Sequence, residues 1–210
     1  MQRLRPAYRR QGSKMRSEFR VLRHGHAGQW LAAAAAVLLL LVGAGGTGWA
    51  QERAATRAPA DAPSRVVVTG PDEPGEPLVV EGRVVAADGR TPVAGASVYA
   101  YYTDAGGSYG PGANRDSRLR AYLRTDAEGR FRIRTIKPAP YPGGGIPAHI
   151  HFHVAPPEGG WERVTEVVFE GGPWVTDRMR QSDAYAVLLL ERDSAGVLHC
   201  TYEVRLVSAD

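Results

Sequence analysis

The sequence predicts an all-β fold, a two-sheet sandwich occupying residues 77–208. Three observations predict it. Apolar residues recur at every second position in short runs, as in half-buried strands. Gly, Pro and Asp-Gly turn signals punctuate those runs at close intervals. Helical periodicity is absent beyond the apolar segment that ends at Val42. Short, evenly spaced strands of this kind pack on one another as a sandwich.

The chain of 210 residues is long enough for one such domain with its own core. Its first part reads differently. Residues 1–28 carry eight Arg or Lys against one acid, Trp30 to Val42 form the apolar run "WLAAAAAVLLLLV", and Gly48, Trp49 and Ala50 precede Gln51. The run falls short of the about 20 residues of a membrane-crossing helix. The order basic, apolar, small is that of an export signal. Residues 1–50 are therefore expected to be a signal peptide, or else an uncleaved membrane anchor acting through residues 30–50. Either places the protein outside the cytoplasm, extracellular or at the cell envelope. Residues 51–76 are rich in Ala, Pro, Arg and Asp, with Val66 to Val68 the one branched run, and are expected to be a disordered linker.

Charge and cysteine content narrow the function classes. Beyond residue 28 the chain has 18 basic and 21 acidic side chains, so no basic face for a phosphate backbone is expected and nucleic acid is excluded as a partner. Cys200 is the single cysteine, so export would add no internal disulfide. A homo-oligomer is compatible with this composition.

Within the body, Leu78, Val80, Val84 and Val98 alternate with polar or small residues, and Asp88-Gly89 marks a hairpin-type turn. Pro92 to Gly95 leads into the next strand, where proline is tolerated. A strand ends near Arg124, a turn follows at Asp126 to Gly129, and then Phe131, Ile133 and Thr135 share one face while Arg130, Arg132 and Arg134 share the other. Further strands are expected at Ala148 to Val154, Val164 to Phe169, Ala186 to Leu190 and Val197 to Val207.

The segment "GIPAHIHFHV" places His149, His151 and His153 at alternate positions. In a strand these share a face, and Ile150, Phe152 and Val154 share the other. The second face is core. Two imidazoles at i and i+2 can reach one cation, which gives the first face a use, although histidines also decorate polar strand faces. A zinc site at the H-x-H pair would need a third carboxylate or histidine ligand, and none stands at a recognisable spacing.

In order along residues 78–207, "VEGRVVAADGRTPVAGASVYAYYTDAGGSY", "LRTDAEGRFRIRTIKPAPYP", "PAHIHFHV", "VTEVVFEGGP" and "GVLHCTYEVRLV" resemble the intradiol ring-cleavage dioxygenases. The resemblance implies non-haem Fe(III), a catechol-type substrate and O2, and cleavage between the two hydroxyls to a cis,cis-muconate-type diacid. It implies iron ligation by Tyr109, which ends "DAGGSY", by Tyr141 in "TIKPAPYP", and by His149 and His151. Tyr109 and His151 would be equatorial, with Tyr141 and His149 axial. Tyr141 would also be displaced by substrate and act as the catalytic base. Phenolate is a hard anionic donor suited to ferric ion, and coordination deprotonates a phenol whose free pKa is near about 10. The resemblance assigns no ligand role to His153.

The chain also departs from the family pattern. Ile146 stands where the family commonly has an arginine, and Glu166 where it commonly has a glutamine. Arg120, Arg124 and Arg163 are candidates to supply a replacement charge. The loop "PYPGGGIPAH" is short and rich in glycine, and no counterpart of the helical dimerisation segment of the catechol-cleaving branch is expected within these residues. The alternative reading is a non-catalytic, transthyretin-like sandwich acting as a binding module at the envelope. The pattern "V-x-G-x-V … T-D-x-x-G-x-F" is common to both, and fold alone does not give function.

Overall fold

The computed structural model describes residues 56–111 and 117–207. In chain order the strands are β1 (Arg65–Val67), β2 (Pro77–Val85), β3 (Ser97–Tyr102), β4 (Leu119–Arg124), β5 (Arg130–Ile136), β6 (His149–Ala155) and β7 (Arg163–Phe169). A single helical turn α1 (Asp177–Arg180) follows, then β8 (Tyr185–Leu188), β9 (Glu191–Arg192) and β10 (Leu198–Arg205). They form two five-stranded sheets, ordered β1-β5-β2-β10-β9 and β4-β3-β6-β7-β8.

The alternation read from sequence is the alternation of burial. In β5, Phe131, Ile133 and Thr135 are buried and Arg130, Arg132 and Arg134 are exposed. Leu78, Val80 and Val84 from the first sheet meet Val98, Ile150, Phe152 and Val154 from the second in one continuous core. Apolar burial of this kind is the main favourable term holding the sheets together. Gly82 opposes Phe131 across β2 and β5. A Cβ at Gly82 would stand 1.9 Å from the Phe131 ring, so the missing side chain is the space that the ring fills. Tyr102 of β3 reaches across the core and donates to Thr135 Oγ1 of β5 at 2.6 Å, giving its buried hydroxyl a partner.

Turn chemistry follows the sequence as well. Asp88 accepts from the backbone N–H groups of Arg90 and Thr91, closing the turn in which Gly89 has φ 71°. Pro92 bridges to Val85 ahead of β3, which begins at Ser97.

Three expectations need adjustment. The described part of the expected linker, residues 56–76, packs on the sandwich. β1 runs parallel to β5, and the N–H of buried Ala58 donates to Ser97 Oγ at 2.8 Å. The physical reason is the exposed edge of β5, which the Val66 to Val68 run completes with backbone hydrogen bonds despite its low apolar density. The strand expected at Ala186 to Leu190 is β8, shifted to Tyr185–Leu188, and a separate two-residue β9 follows in the other sheet. The segment between β7 and β8 holds the unanticipated turn α1, capped by Thr176 Oγ1, which accepts from the Met179 N–H. The signal or anchor expected over residues 1–50 lies outside the described residues.

Candidate metal centre

The outer face of the second sheet carries the histidines. Cross-strand register sets Tyr101 of β3 opposite His151 of β6, His151 opposite Glu166 of β7, and Glu166 opposite Tyr185 of β8. These four residues therefore form one row on one face of the sheet. The Tyr101 ring stacks on the His151 imidazole at 4.4 Å and 15°, fixing its plane.

Two loops bring the tyrosines to this row. Tyr109 lies on the β3–β4 connection, where Asp104 Oδ1 accepts from the N–H groups of Gly106 and Ser108 and bends the chain. Tyr141 lies on the β5–β6 connection, where Gly144 N–H donates to the Tyr141 carbonyl. The loops are tied by the Thr103 hydroxyl, which donates to the Ala139 carbonyl at 2.6 Å, and by the Ala139 N–H, which donates to the Asp104 carbonyl. Gly107, with φ 78°, lies directly against the Pro140 backbone.

The result is a closed ring of four donor atoms. Tyr109 Oη is 2.6 Å from Tyr141 Oη, Tyr141 Oη is 3.4 Å from His149 Nε2, His149 Nε2 is 3.0 Å from His151 Nε2, and His151 Nε2 is 3.1 Å from Tyr109 Oη. Donors held at about 2.0–2.2 Å from one first-row ion at right angles stand about 3 Å apart, so the ring has the dimensions of a single ion's ligand set. His149 Nδ1–H donates to the Pro147 carbonyl at 2.8 Å, which leaves Nε2 with its lone pair towards the ring. Burial, reinforced by the neighbouring imidazoles of His149 and His153, pushes His151 down to about 3 and keeps it neutral, as ligation requires. Burial and the adjacent Tyr141 phenol push Tyr109 up, so without a cation that phenol stays protonated. Among the described residues no group of three His, Cys, Asp or Glu side chains is placed to hold an ion, so the two phenols are needed to complete a set. Two hard phenol oxygens with two imidazoles suit a hard trivalent iron. The four residues singled out from sequence thus converge, and they fit the metal.

A cleft of about 200 Å³ opens above the ring, walled by Tyr141, Ile146, His149, His151, Glu166 and Tyr185. Ile146 and Glu166, the two departures, both face it. None of the candidate replacement arginines does. Arg124 donates to the carbonyls of Ala58 and Gly95, Arg163 to that of Asp183, and Arg120 to that of Ser117. His153 is buried outside the ring, with Nδ1 3.3 Å from Glu162 Oε1, and is not among the donors. A larger depression of about 320 Å³ on the first sheet, lined by Arg65, Arg83, Arg130 and Arg132, holds no such donor set. Sequence reasoning missed Tyr101, Met179 and Tyr185 as parts of the site. For Tyr101 the signal was parity with Tyr99 on one strand face. Met179 and Tyr185 enter through cross-strand register and a loop turn, which no local pattern marks.

Comparison with known proteins identifies the family. The family described as Dioxygenase matches residues 54–207. The chain is 34% identical over 127 residues to catechol 1,2-dioxygenase 1 of Acinetobacter lwoffii, covering 51% of this chain and 40% of that protein. It is 37% identical over 111 residues to the protocatechuate 3,4-dioxygenase beta chain of Burkholderia cepacia, covering 47% of each. The chain thus spans less than half the length of these relatives. Among solved structures, the dioxygenase domain of a dioxygenase and carbohydrate-binding fusion from Streptomyces sp. SirexAA-E superposes with a TM-score of 0.55 at 27% identity, covering 72% of this chain and 92% of that one.

Proposed function

The chain belongs to the intradiol ring-cleavage dioxygenases, and from that premise we propose that it is an Fe(III)-dependent enzyme opening a catechol ring between its two hydroxyls. The observation that carries this reading is the closed ring of Tyr109, Tyr141, His149 and His151 donor atoms beneath a cleft. A binding module has no need of such a ring. These four residues would hold the iron, which when bound supplies Lewis acidity and the one-electron chemistry that lets dioxygen react with a catecholate.

The chain's own groups divide the remaining work. Tyr141 lines the cleft whereas Tyr109 is buried behind it, so Tyr141 is the side chain placed to meet substrate and, as the phenolate it would become on holding the iron, to accept a catechol proton at Oη. The Pro147 carbonyl and the Tyr101 ring hold His149 and His151 in their ligating orientations. Ile146 gives the cleft mouth an apolar wall against the face or edge of the ring. The overall reaction converts catechol and O2 to a cis,cis-muconate-type diacid. The basic and apolar run at the start of the chain supports export, with catechols from plant or soil aromatics met outside the cytoplasm as substrates. The same run supports a membrane tether if it stays attached.

The test is to supply the iron-loaded protein with catechol and ¹⁸O2. A diacid carrying both labelled atoms is expected. Catechol left intact, or oxidised only to the quinone, would overturn the proposal.

A further inference from the structure

Resting on that reading, we infer that Glu166 sets the charge preference of the substrate cleft, favouring catechols whose ring substituent carries an amine over those whose substituent is a carboxylate. Glu166 sits in the row between His151 and Tyr185 and projects to the same side of the sheet as the donor ring. It lines the cleft, and among the described residues no Arg or Lys does. Its side chain is 34% exposed, so its carboxylate is partly removed from water at the wall where a ring substituent would lie.

Among the described residues no Arg or Lys pairs with this carboxylate. His151 Nδ1 is 3.7 Å from Oε1, beyond hydrogen-bond reach, and that imidazole belongs to the donor ring. On the adjoining helical turn Arg180 pairs with Glu170 and Asp177, while Arg178 is exposed and is not part of the cleft wall. An incoming ammonium can therefore form a charge-assisted hydrogen bond with Glu166. An incoming carboxylate meets a like charge in a partly desolvated cleft, where screening is weaker than in water. A neutral catechol feels neither effect, and the apolar wall of Ile146 and Met179 accommodates it.

The experiment uses the iron-loaded protein and E166Q, which removes the charge and keeps the shape. The probes are catechol, 4-(2-aminoethyl)catechol and 3,4-dihydroxybenzoate. Dissociation constants are read without oxygen from the visible spectrum, and kcat/KM with oxygen. The native protein should bind the amine probe at least about tenfold more tightly than the carboxylate probe, which a screened charge pair can supply. That ratio, each probe being referred to catechol on the same variant, should collapse to within about threefold in E166Q. E166D should keep the native order, which separates charge from packing. An unaltered ratio in E166Q would overturn the inference. So would an equal loss for all three probes, which would mark Glu166 as acting through His151 instead. If the native protein neither binds nor cleaves catechol, the proposed function itself fails.

Discussion

Gly107 and Pro140 are in backbone contact, and that contact sets the spacing of the two phenols. A Cβ at Gly107 would stand 2.3 Å from the Pro140 carbonyl oxygen, and its φ of 78° also disfavours a side chain. Gly107→Ala should separate the Tyr109 and Tyr141 loops and lower the iron bound per chain without touching a ligand. Gly106→Ala, whose Cβ would meet only Asp104 Oδ1 at 3.3 Å, is the matched control and should keep its iron. Metal analysis of both variants checks this.

Tyr141→Phe removes the one phenol of the donor ring that borders the cleft while leaving three donors in place. Loss of a positioned base should lower kcat by about 10²-fold or more, and the visible band of the iron protein should shift. Stopped-flow turnover and absorption spectra read the two effects separately.

Acid should destabilise the metal-free protein through His151. Its folded value of about 3 lies below the ordinary 6.5, because burial first and the nearby imidazoles second oppose its charge. Stability is therefore complete above pH 6.5 and falls as pH is lowered towards 3, since the unfolded chain takes up a proton that the folded one resists. Between pH 6.5 and 5 the loss should reach up to about 2 kcal/mol. Urea midpoints at several pH values should show this slope in the native chain and a flatter one in His151→Asn.

Thr135→Val should cost about 1–3 kcal/mol, because it leaves the buried Tyr102 hydroxyl without its inter-sheet partner. Thermal denaturation of this variant beside Tyr102→Phe with Thr135→Val should show the double change to be milder than the sum of the single ones.

Much of this structure was legible along the chain. The period-2 burial of β5, the common face of His149, His151 and His153, and the Asp88 turn depend on residues close in sequence. The four candidate ligands were legible from their motifs, and the structure brings them into one ring. What stayed hidden depends on tertiary pairing. β1 forms because β5 offers an edge, which overrides the polar character of residues 56–76. Glu166 and Tyr185 reach the site through strand register, and Arg124 is drawn away from it by the carbonyls of Ala58 and Gly95.

The most direct test of the central claim is the visible spectrum and iron content of the purified protein, before and after adding catechol without oxygen. The account predicts close to one iron per chain and a tyrosinate-to-iron(III) band that shifts with catechol and is lost in Tyr109→Phe with Tyr141→Phe. A folded, colourless protein that takes up no iron under iron-replete conditions would contradict it.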